Sequence, residues 1–186
     1  MTLIVLAGPA GVGKGSLVNW ILTNDSRFTL SVSATTRPPR QGEVDGVHYQ
    51  FIERAEFQAL IAGNQMLEWA VVHGHNYYGT PLNELTRAEA SDKHLLLEID
   101  LQGARQVKKR IPQAISIFVQ PPSWEVLESR LRQRETETDA EIQTRLETAK
   151  AEMAAAHEFD YQVINDDLVQ TGLEIIKIAT DPERET

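Results

Sequence analysis

The chain has 186 residues, of which 41% are hydrophobic and 24% charged, and this composition is sufficient for one domain with a substantial core. Its formal net charge of -9 at pH 7 argues against nucleic acid or an anionic membrane as the main partner, because both require a basic surface. The sequence contains no cysteine, which excludes disulfides, thiolate zinc sites and cysteine nucleophiles. The apolar run at residues 3–7 is too short for a secretory signal, and no stretch approaches the roughly 20 apolar residues of a membrane span. We therefore expect a soluble, cytoplasmic protein.

Four short apolar runs, each bounded by turn signals, predict strands that are buried on both faces, as in a parallel sheet. These runs are LIVLA (3–7), HLLLEID (94–100), ISIFV (115–119) and YQVIND (161–166). Helices are predicted between them at 14–23, 101–111 and 124–135, and a further helix from a capping box at 138–141 through His157. The alternation predicts an α/β fold, with a parallel sheet core flanked by helices.

Residues 28 to about 80 break this alternation and predict a small α+β insertion. The segment FTLSVSA (28–34) is strand-like. In GEVDGVHYQF (42–51), Asp45-Gly46 stands between alternating apolar residues, a pattern typical of a β-hairpin. A short helix at 55–62 and a strand at 66–72 follow.

The segment GPAGVGKGS (8–16) almost matches the phosphate-binding P-loop pattern G-x-x-x-x-G-K-[ST]. It follows a predicted strand and opens a predicted helix, which is the context that a P-loop requires. Lys14 has the spacing of the lysine that binds the β- and γ-phosphates, but Gly15 stands where a magnesium-binding hydroxyl is usual. The alternative is an ordinary glycine-rich turn between a strand and a helix.

Two arginines, Arg37 and Arg40, flank Pro38-Pro39 in a stiff, extended segment. Arginine binds phosphate oxygens bidentately, so this segment predicts a clamp for a second phosphate. Two solvated surface arginines are an equally good explanation of this stretch alone.

Glu68 lies in an otherwise apolar predicted strand. One carboxylate can accept both the N1–H and the 2-amino group of guanine, whereas adenine lacks that pair of donors. An outward-facing strand glutamate is the alternative. Tyr78 and Thr80, at the end of the same region, supply hydroxyls for a phosphate and a base.

Glu98 and Asp100 end a predicted buried strand, the edge at which open α/β sheets bind ligands. They are candidates for orienting metal-bound water or for contacting the ribose or base of the acceptor. For Asp100, capping of the next helix is the alternative.

Three arginines, Arg130, Arg134 and Arg145, occur in a polar region with the composition of a mobile lid. Arg130 and Arg134 are four residues apart and share a helix face. Phosphoryl transfer requires such cations, because negative charge accumulates on the transferred oxygens. A salt-bridged amphipathic helix is the alternative. Asn165, after the last predicted strand, is a candidate for contact with the adenine of a donor nucleotide.

Together these segments resemble the guanylate kinase family from about Ile4 to Leu168, with SVSATTRPPRQGEVDGVHY, EWA…NYYGT, EIDLQG and INDDL as the most specific parts. The resemblance implies the reaction ATP + GMP ⇌ ADP + GDP with magnesium. It also implies a core (1–30, 81–122 and 159–186), a GMP-binding insertion (31–80) and a lid (123–158).

The resemblance further implies roles for individual residues. Those for ATP are Gly8, Pro9, Ala10, Gly11, Val12, Gly13, Lys14, Gly15, Ser16 and Asn165. Those for GMP are Ser33, Glu68, Thr80, Glu98 and Asp100 around the guanine, and Arg37, Arg40, Tyr49 and Tyr78 around the phosphate. The catalytic residues are Lys14, Arg37, Arg130, Arg134 and Arg145. With no hydroxyl at position 15, we expect phosphates and water to hold the magnesium, with little direct ligation by protein.

The sequence departs from the family pattern in two further places. The segment between Glu68 and Tyr78 is one residue longer than is common, which leaves open whether Tyr77 or Tyr78 reaches the phosphate; we favour Tyr78, which directly precedes Gly79-Thr80. Glu135 replaces a usual glycine, which predicts a stiffer lid hinge. A non-catalytic module that binds protein ligands and a kinase for another acceptor, such as a phosphorylated sugar, are the competing hypotheses.

Overall fold

The computed structural model describes residues 1–72, 75–133 and 139–181, with residues 139–141 described by their backbone alone. Its helices are α1 (Lys14–Asn24), α2 (Arg54–Ala62), α3 (Asn83–Ala90), α4 (Leu101–Arg110), α5 (Trp124–Arg132), α6 (Asp139–Ala154) and α7 (Leu168–Thr180). Its strands are β1 (Leu3–Ala7), β2 (Phe28–Leu30), β3 (Ala34–Thr35), β4 (Gln50–Phe51), β5 (Met66–Val72), β6 (Asn76–Pro81), β7 (His94–Glu98), β8 (Ile115–Gln120) and β9 (Tyr161–Ile164). None of the described helices is long and apolar enough to cross a membrane.

The larger sheet has the strand order β2-β7-β1-β8-β9, and its strands pair in parallel. Successive side chains of a strand point to opposite faces, so the central strand β1 contributes to two separate cores. Ile4 and Leu6 pack into one core with residues of α1, α5, α6 and α7. Leu3, Val5 and Ala7 pack into the other, with residues of α3 and α4. The predicted α/β fold with a parallel core flanked by helices is confirmed.

A smaller, mixed sheet has the order β4-β3-β6-β5 and is formed by residues between 34 and 81. Helix α2 covers it through the fully buried Phe57, which packs with Ala34 and Met66. The predicted strand 28–34 is divided between the two sheets, since β2 pairs with β7 of the larger sheet and β3 pairs with β6 of the smaller one.

The hairpin predicted within residues 42–51 is wrong. Strand β4 pairs in parallel with β3, and residues 42–49 form a loop. Backbone turns and side chains hold this loop together: the Gly46 N–H donates to the Tyr49 carbonyl at 2.8 Å, the Asp45 carboxylate accepts the Phe51 N–H at 2.8 Å, and His48 Nδ1 accepts the Val44 N–H at 3.0 Å. Val47 in this loop is 65% exposed, so the alternation of apolar residues does not mark a buried face here.

Candidate active site

The glycine-rich segment 8–16 forms a loop between β1 and α1. Gly13 is the N-cap of α1 and has a φ of 98°, a left-handed conformation that favours glycine. A Cβ added at Gly13 would lie 2.6 Å from Nδ2 of Asn165, so the position also requires glycine for space. The loop leads directly into the N-terminus of an eleven-residue helix, where backbone N–H groups and the helix dipole favour an anion.

The Lys14 side chain folds back over this loop. Its Nζ donates to the carbonyl of Gly8 at 2.6 Å and contacts the Pro9 carbonyl at 3.3 Å. These contacts hold a positive charge above the segment that resembles a P-loop. The Glu98 carboxylate lies close to the same place, 3.8 Å from the point where a Cβ on Gly15 would stand.

The carbonyl of Val12 connects the loop to two distant parts of the chain. It accepts a 2.8 Å hydrogen bond from Asn165 Nδ2 and a 3.3 Å hydrogen bond from Arg130 Nη1. Asn165 is only 7% exposed, and its amide supports the loop directly. Both residues also line a cavity of about 410 Å³ beside Gly11, Gly13 and Ser16, so the predicted contact of Asn165 with adenine stays a prediction.

Three of the predicted guanine-binding residues, Ser33, Glu68 and Thr80, form a connected polar group at the smaller sheet. Glu68 on β5 lies opposite Thr80 on β6, and the Thr80 hydroxyl donates to Glu68 Oε1 at 2.7 Å. The Ser33 hydroxyl lies 3.4 Å from that of Thr80. Tyr78 and Thr80 lie on β6, which is antiparallel to the strand that carries Glu68.

Glu68 is buried, with an exposure of 6%. Burial raises the pKa of this carboxyl to about 7, and the hydrogen bond from Thr80 opposes the shift only in part. The negative charge of nearby Asp100 raises the pKa further. A buried carboxylate with this environment accepts N–H donors strongly once it is ionised.

Helix α4 packs closely against the strand that carries Glu68. The Asp100 carboxylate caps α4 by accepting the Gly103 N–H at 2.7 Å, which is the capping role considered as the alternative. A Cβ added at Gly103 would lie 3.0 Å from Oε2 of Glu68, so glycine permits this close approach. The Gln106 side chain then accepts the Trp69 N–H at 3.1 Å and donates to the Trp69 carbonyl at 2.8 Å, which pairs it with the backbone of β5.

The predicted phosphate clamp is centred on Arg37. Its Nε donates to the Tyr78 hydroxyl at 3.1 Å, and its guanidinium carbon lies 5.4 Å from the centre of the Tyr49 ring. The rings of Tyr49 and Tyr78 are in edge contact, with centroids 6.0 Å apart. Arg37 also forms an ion pair with Glu43, which the sequence analysis did not single out.

The two candidate tyrosines lie on opposite sides of β6. Tyr78 shares a face with Thr80, because residues two apart in a strand point the same way. Tyr77 packs instead against Phe57 and Trp69. Tyr78 is therefore the tyrosine that reaches Arg37.

For the remaining predicted residues the structure gives their exposure, or does not describe them. Arg40 is exposed near the clamp, and Arg145 is half-buried on α6. Arg134 and Glu135 lie outside the described residues, as does Thr138 of the predicted capping box. Two residues of the site, Glu43 and Gln106, were not predicted from the sequence. For Glu43 the sequence shows only an acidic residue close to Arg37 and Arg40. For Gln106 it shows only an amide side chain five positions after the start of α4.

A sequence model of guanylate kinase matches residues 1–180 of the chain. The chain belongs to the guanylate kinase family. It is 50% identical to the guanylate kinase of Synechocystis sp., covering 97% of this chain and 94% of that protein. It is 53% identical to the guanylate kinase of Thermosynechococcus vestitus, covering 89% and 86%. The crystal structure of guanylate kinase from Anaplasma phagocytophilum matches it with a TM-score of 0.74 and 32% identity, covering 98% of this chain and 88% of that one.

This membership confirms the resemblance drawn from the sequence. The curated guanylate kinases align over 97% and 89% of this chain. They support an enzyme of this family and give no support to the non-catalytic module considered as an alternative.

Proposed function

We propose that the chain transfers the γ-phosphate of ATP to GMP and releases ADP and GDP. GMP is proposed as the acceptor because the carboxylate of Glu68 is buried beside the smaller sheet and contacts the Thr80 hydroxyl, which in turn lies next to the Ser33 hydroxyl. This group is suited to the adjacent N1–H and 2-amino donors of guanine. Family membership and the loop at residues 8–16 support ATP as the donor.

Each nucleotide has its own group of residues in this proposal. The loop residues Gly8 to Ser16 bind the ATP phosphates, and Asn165 borders the adenine. Guanine lies against Ser33, Glu68 and Thr80, with Glu98 and Asp100 beside it. The GMP phosphate binds Arg37, Arg40, Tyr49 and Tyr78.

Catalysis in this enzyme is positioning combined with electrostatic stabilisation. An oxygen of the GMP phosphate attacks the γ-phosphorus in line with the bond to the β–γ bridging oxygen, which breaks and leaves ADP. Lys14, Arg130, Arg134 and Arg145 stabilise the charge on the transferred phosphoryl oxygens. The attacking oxygen is already ionised near neutral pH, since phosphate monoesters have a second pKa of about 6, so no general base is required.

Magnesium belongs to this proposal as the partner of ATP. Within residues 1–72, 75–133 and 139–181, no group of three or more His, Cys, Asp or Glu side chains could hold a metal ion. Position 15 carries no hydroxyl, and the nearby Glu98 supplies one carboxylate. This donor set suits Mg²⁺ that is held by phosphates and water, which is how the ion is commonly bound in kinases. When bound there, magnesium would supply neutralisation of phosphate charge, and Glu98 would orient its water.

The proposal also divides the chain by role. Residues 1–30, 81–122 and 159–186 form the core, 31–80 the GMP-binding insertion and 123–158 the lid. The separate smaller sheet, built within residues 34–81, supports the insertion. Closure of the lid over both nucleotides excludes water and brings the lid arginines to the phosphates. We expect the enzyme to act in the cytoplasm and to use dGMP as well as GMP.

A panel of acceptors tests this function. Release of ADP is measured with GMP, dGMP, AMP, UMP and IMP, in the wild-type enzyme and in Glu68→Gln. We expect GMP to be the best acceptor and IMP, which lacks the 2-amino donor, to be poor. Equal kcat/KM for IMP and GMP would remove the role of Glu68, and rapid turnover of AMP or UMP would refute the choice of acceptor.

A further inference from the structure

Glu43 is the closest partner of the arginine assigned to the GMP phosphate. Its Oε2 accepts from Arg37 Nη1 at 2.7 Å, and its Oε1 accepts from Arg37 Nη2 at 2.9 Å. The two side chains are only 11% and 18% exposed. Oε2 also accepts the backbone N–H of Arg40 at 2.6 Å, so one carboxylate connects both arginines of the loop.

A count of the Arg37 donors shows which edge of its guanidinium Glu43 uses. The group has five N–H donors in a fixed plane. The Nη1 donors go to Glu43 and to the Pro38 carbonyl at 2.8 Å, and one Nη2 donor goes to Glu43. The edge formed by Nε and the second Nη2 donor faces the Tyr78 hydroxyl, which Nε contacts at 3.1 Å. Glu43 therefore occupies one bidentate edge of the guanidinium and leaves the other beside Tyr78.

The backbone and the side chain of Glu43 are both held in place within its loop. Its own N–H donates to the Arg40 carbonyl at 3.0 Å, which closes the turn that carries both arginines. Its hydrogen bond with Arg37 lowers the pKa of Glu43 to about 2, so the carboxylate stays charged throughout the physiological range. The rings of Tyr49 and Phe51 lie 5.4 and 5.7 Å from the guanidinium carbon and restrict its plane.

We propose that Glu43 is a positioning residue for GMP: it holds one edge of Arg37 so that the opposite edge, with Tyr78, is oriented to bind the GMP phosphate. This inference rests on the proposed function and adds a residue to it. The alternative is that Glu43 occupies the place of the phosphate and must leave when GMP binds. The two ideas predict opposite effects of removing the carboxylate.

The test separates binding of the phosphate from binding of the base. Calorimetric titration in the absence of ATP gives the dissociation constants of GMP and of guanosine, which lacks the phosphate. In Glu43→Gln we expect the preference for GMP over guanosine to fall about tenfold, because one bidentate, charge-assisted contact no longer orients Arg37. The dissociation constant of guanosine itself should stay the same, which also reports that the variant is folded.

Two further variants sharpen the result. Glu43→Asp keeps the charge and should retain more of the preference for GMP than Glu43→Gln. Glu53→Gln removes an exposed carboxylate before α2, in the same part of the chain, and should bind both ligands as the wild type does. In steady-state assays, Glu43→Gln should raise KM for GMP more than it lowers kcat.

Three outcomes would overturn the inference. The first is an unchanged preference for GMP in Glu43→Gln, and the second is tighter binding of GMP, which would identify Glu43 as an occupant of the phosphate position. The third is a wild-type enzyme that phosphorylates GMP but binds guanosine equally well; this would refute the clamp and leave the activity intact. Failure of the wild type to phosphorylate GMP at all would instead refute the proposed function, and the inference with it.

Discussion

Glu68 and Thr80 face each other across β5 and β6, and the Thr80 hydroxyl donates a 2.7 Å hydrogen bond to Glu68 Oε1. The carboxylate is buried, and its pKa is raised to about 7. Without a bound base, Glu68 therefore exchanges between its neutral and charged forms near physiological pH. Only the charged form can accept two N–H donors from guanine, so the proposed recognition of the acceptor by Glu68 requires ionisation of this group.

The first prediction concerns the pH dependence of GMP use. In the wild type, kcat/KM for GMP should rise about tenfold per pH unit below about pH 7 and level off above about pH 8, since the carboxylate must be ionised before guanine binds. Titration of the GMP phosphate near pH 6 adds to this profile. Glu68→Gln isolates that second contribution, and it should lose the step near pH 7. Superimposable profiles for the two proteins would contradict the prediction.

The second prediction concerns stability without ligand. The pKa of Glu68 is about 7 in the folded protein and about 4.5 in the unfolded chain. Between these values the folded state binds more protons, so this group makes the free energy of unfolding fall as pH rises from about 4.5 to 7. Glu68→Gln should therefore be more stable than the wild type at pH 8, by about 1–3 kcal/mol, with a smaller difference at pH 5. Urea unfolding at both pH values measures this, and a difference independent of pH would argue against it.

The third prediction concerns the close approach of α4 to Glu68. Gly103→Ala adds a Cβ 3.0 Å from Glu68 Oε2 and 3.4 Å from Asp100 Oδ1, which should displace the carboxylate and raise KM for GMP about three- to tenfold. Alanine within a helix is otherwise favourable, so loss of stability is not the expected cause. The matched control is Gln102→Ala, an exposed neighbour on the same helix.

A second substitution tests the cause of that effect. In the Gly103→Ala protein, Glu68→Asp shortens the side chain and makes room for the new methyl group. Part of the lost affinity for GMP should return in the double variant, although Glu68→Asp alone weakens binding. Strictly additive losses would show that the two positions do not interact.

The fourth prediction concerns Lys14, whose Nζ is held 2.6 Å from the Gly8 carbonyl. Lys14→Met should reduce kcat by about 100-fold or more, because it removes a charge that stabilises the transferred phosphoryl group. The dissociation constant of GMP should change by less than about twofold, since GMP binds elsewhere. Lys109→Met, on the exposed side of α4, is the control. A Lys14 variant with the wild-type kcat would exclude this role.

The fifth prediction concerns the missing hydroxyl at position 15. A Cβ at Gly15 would lie 3.8 Å from both oxygens of Glu98, an ordinary van der Waals distance, so Gly15→Ser should fold normally. The new hydroxyl should become a magnesium ligand and lower the Mg²⁺ concentration for half-maximal activity. Paramagnetic resonance of Mn²⁺ bound to the protein–ATP complex measures the same gain without turnover. Gly15→Ala should show no gain, and an unchanged affinity in Gly15→Ser would contradict the expected role of this position.

The core of the fold could be predicted because its strands are continuous apolar runs. LIVLA is buried at all five positions, and such a run is typical of a strand covered on both faces. The loop at residues 42–49 could not be predicted in the same way. Its alternating residues imitate a strand, but side chains of Asp45 and His48 bind the backbone locally, and no residue pattern records that competition.

Some residues of the candidate site could likewise be predicted from the sequence, and others could not. Lys14 and Glu68 carry signals that a single sequence contains, namely a fixed motif spacing and a charge in an apolar strand. Tyr78 shares a face with Thr80 because the two residues are two apart, which alternation along a strand predicts, but its contact with Arg37 depends on the folded arrangement of β6 and the loop. Glu43 was not found, since an acidic residue near arginines is common on surfaces, and its bidentate contact with Arg37 depends on the folded loop.

The support of the loop at Val12 has a consequence for the order in which the protein can be assembled during translation. Strand β1 pairs with β7 and β8, so its partners are residues that are synthesised much later than β1 itself. Asn165, which binds the Val12 carbonyl, lies 153 positions further along the chain. A nascent chain therefore gains the hydrogen bond that supports its glycine-rich loop only after Asn165 has been synthesised and β9 has joined the sheet. Until β7 and β8 have been synthesised, the emerging chain also presents β1 as an unpaired apolar strand, and such exposed strands are prone to aggregate.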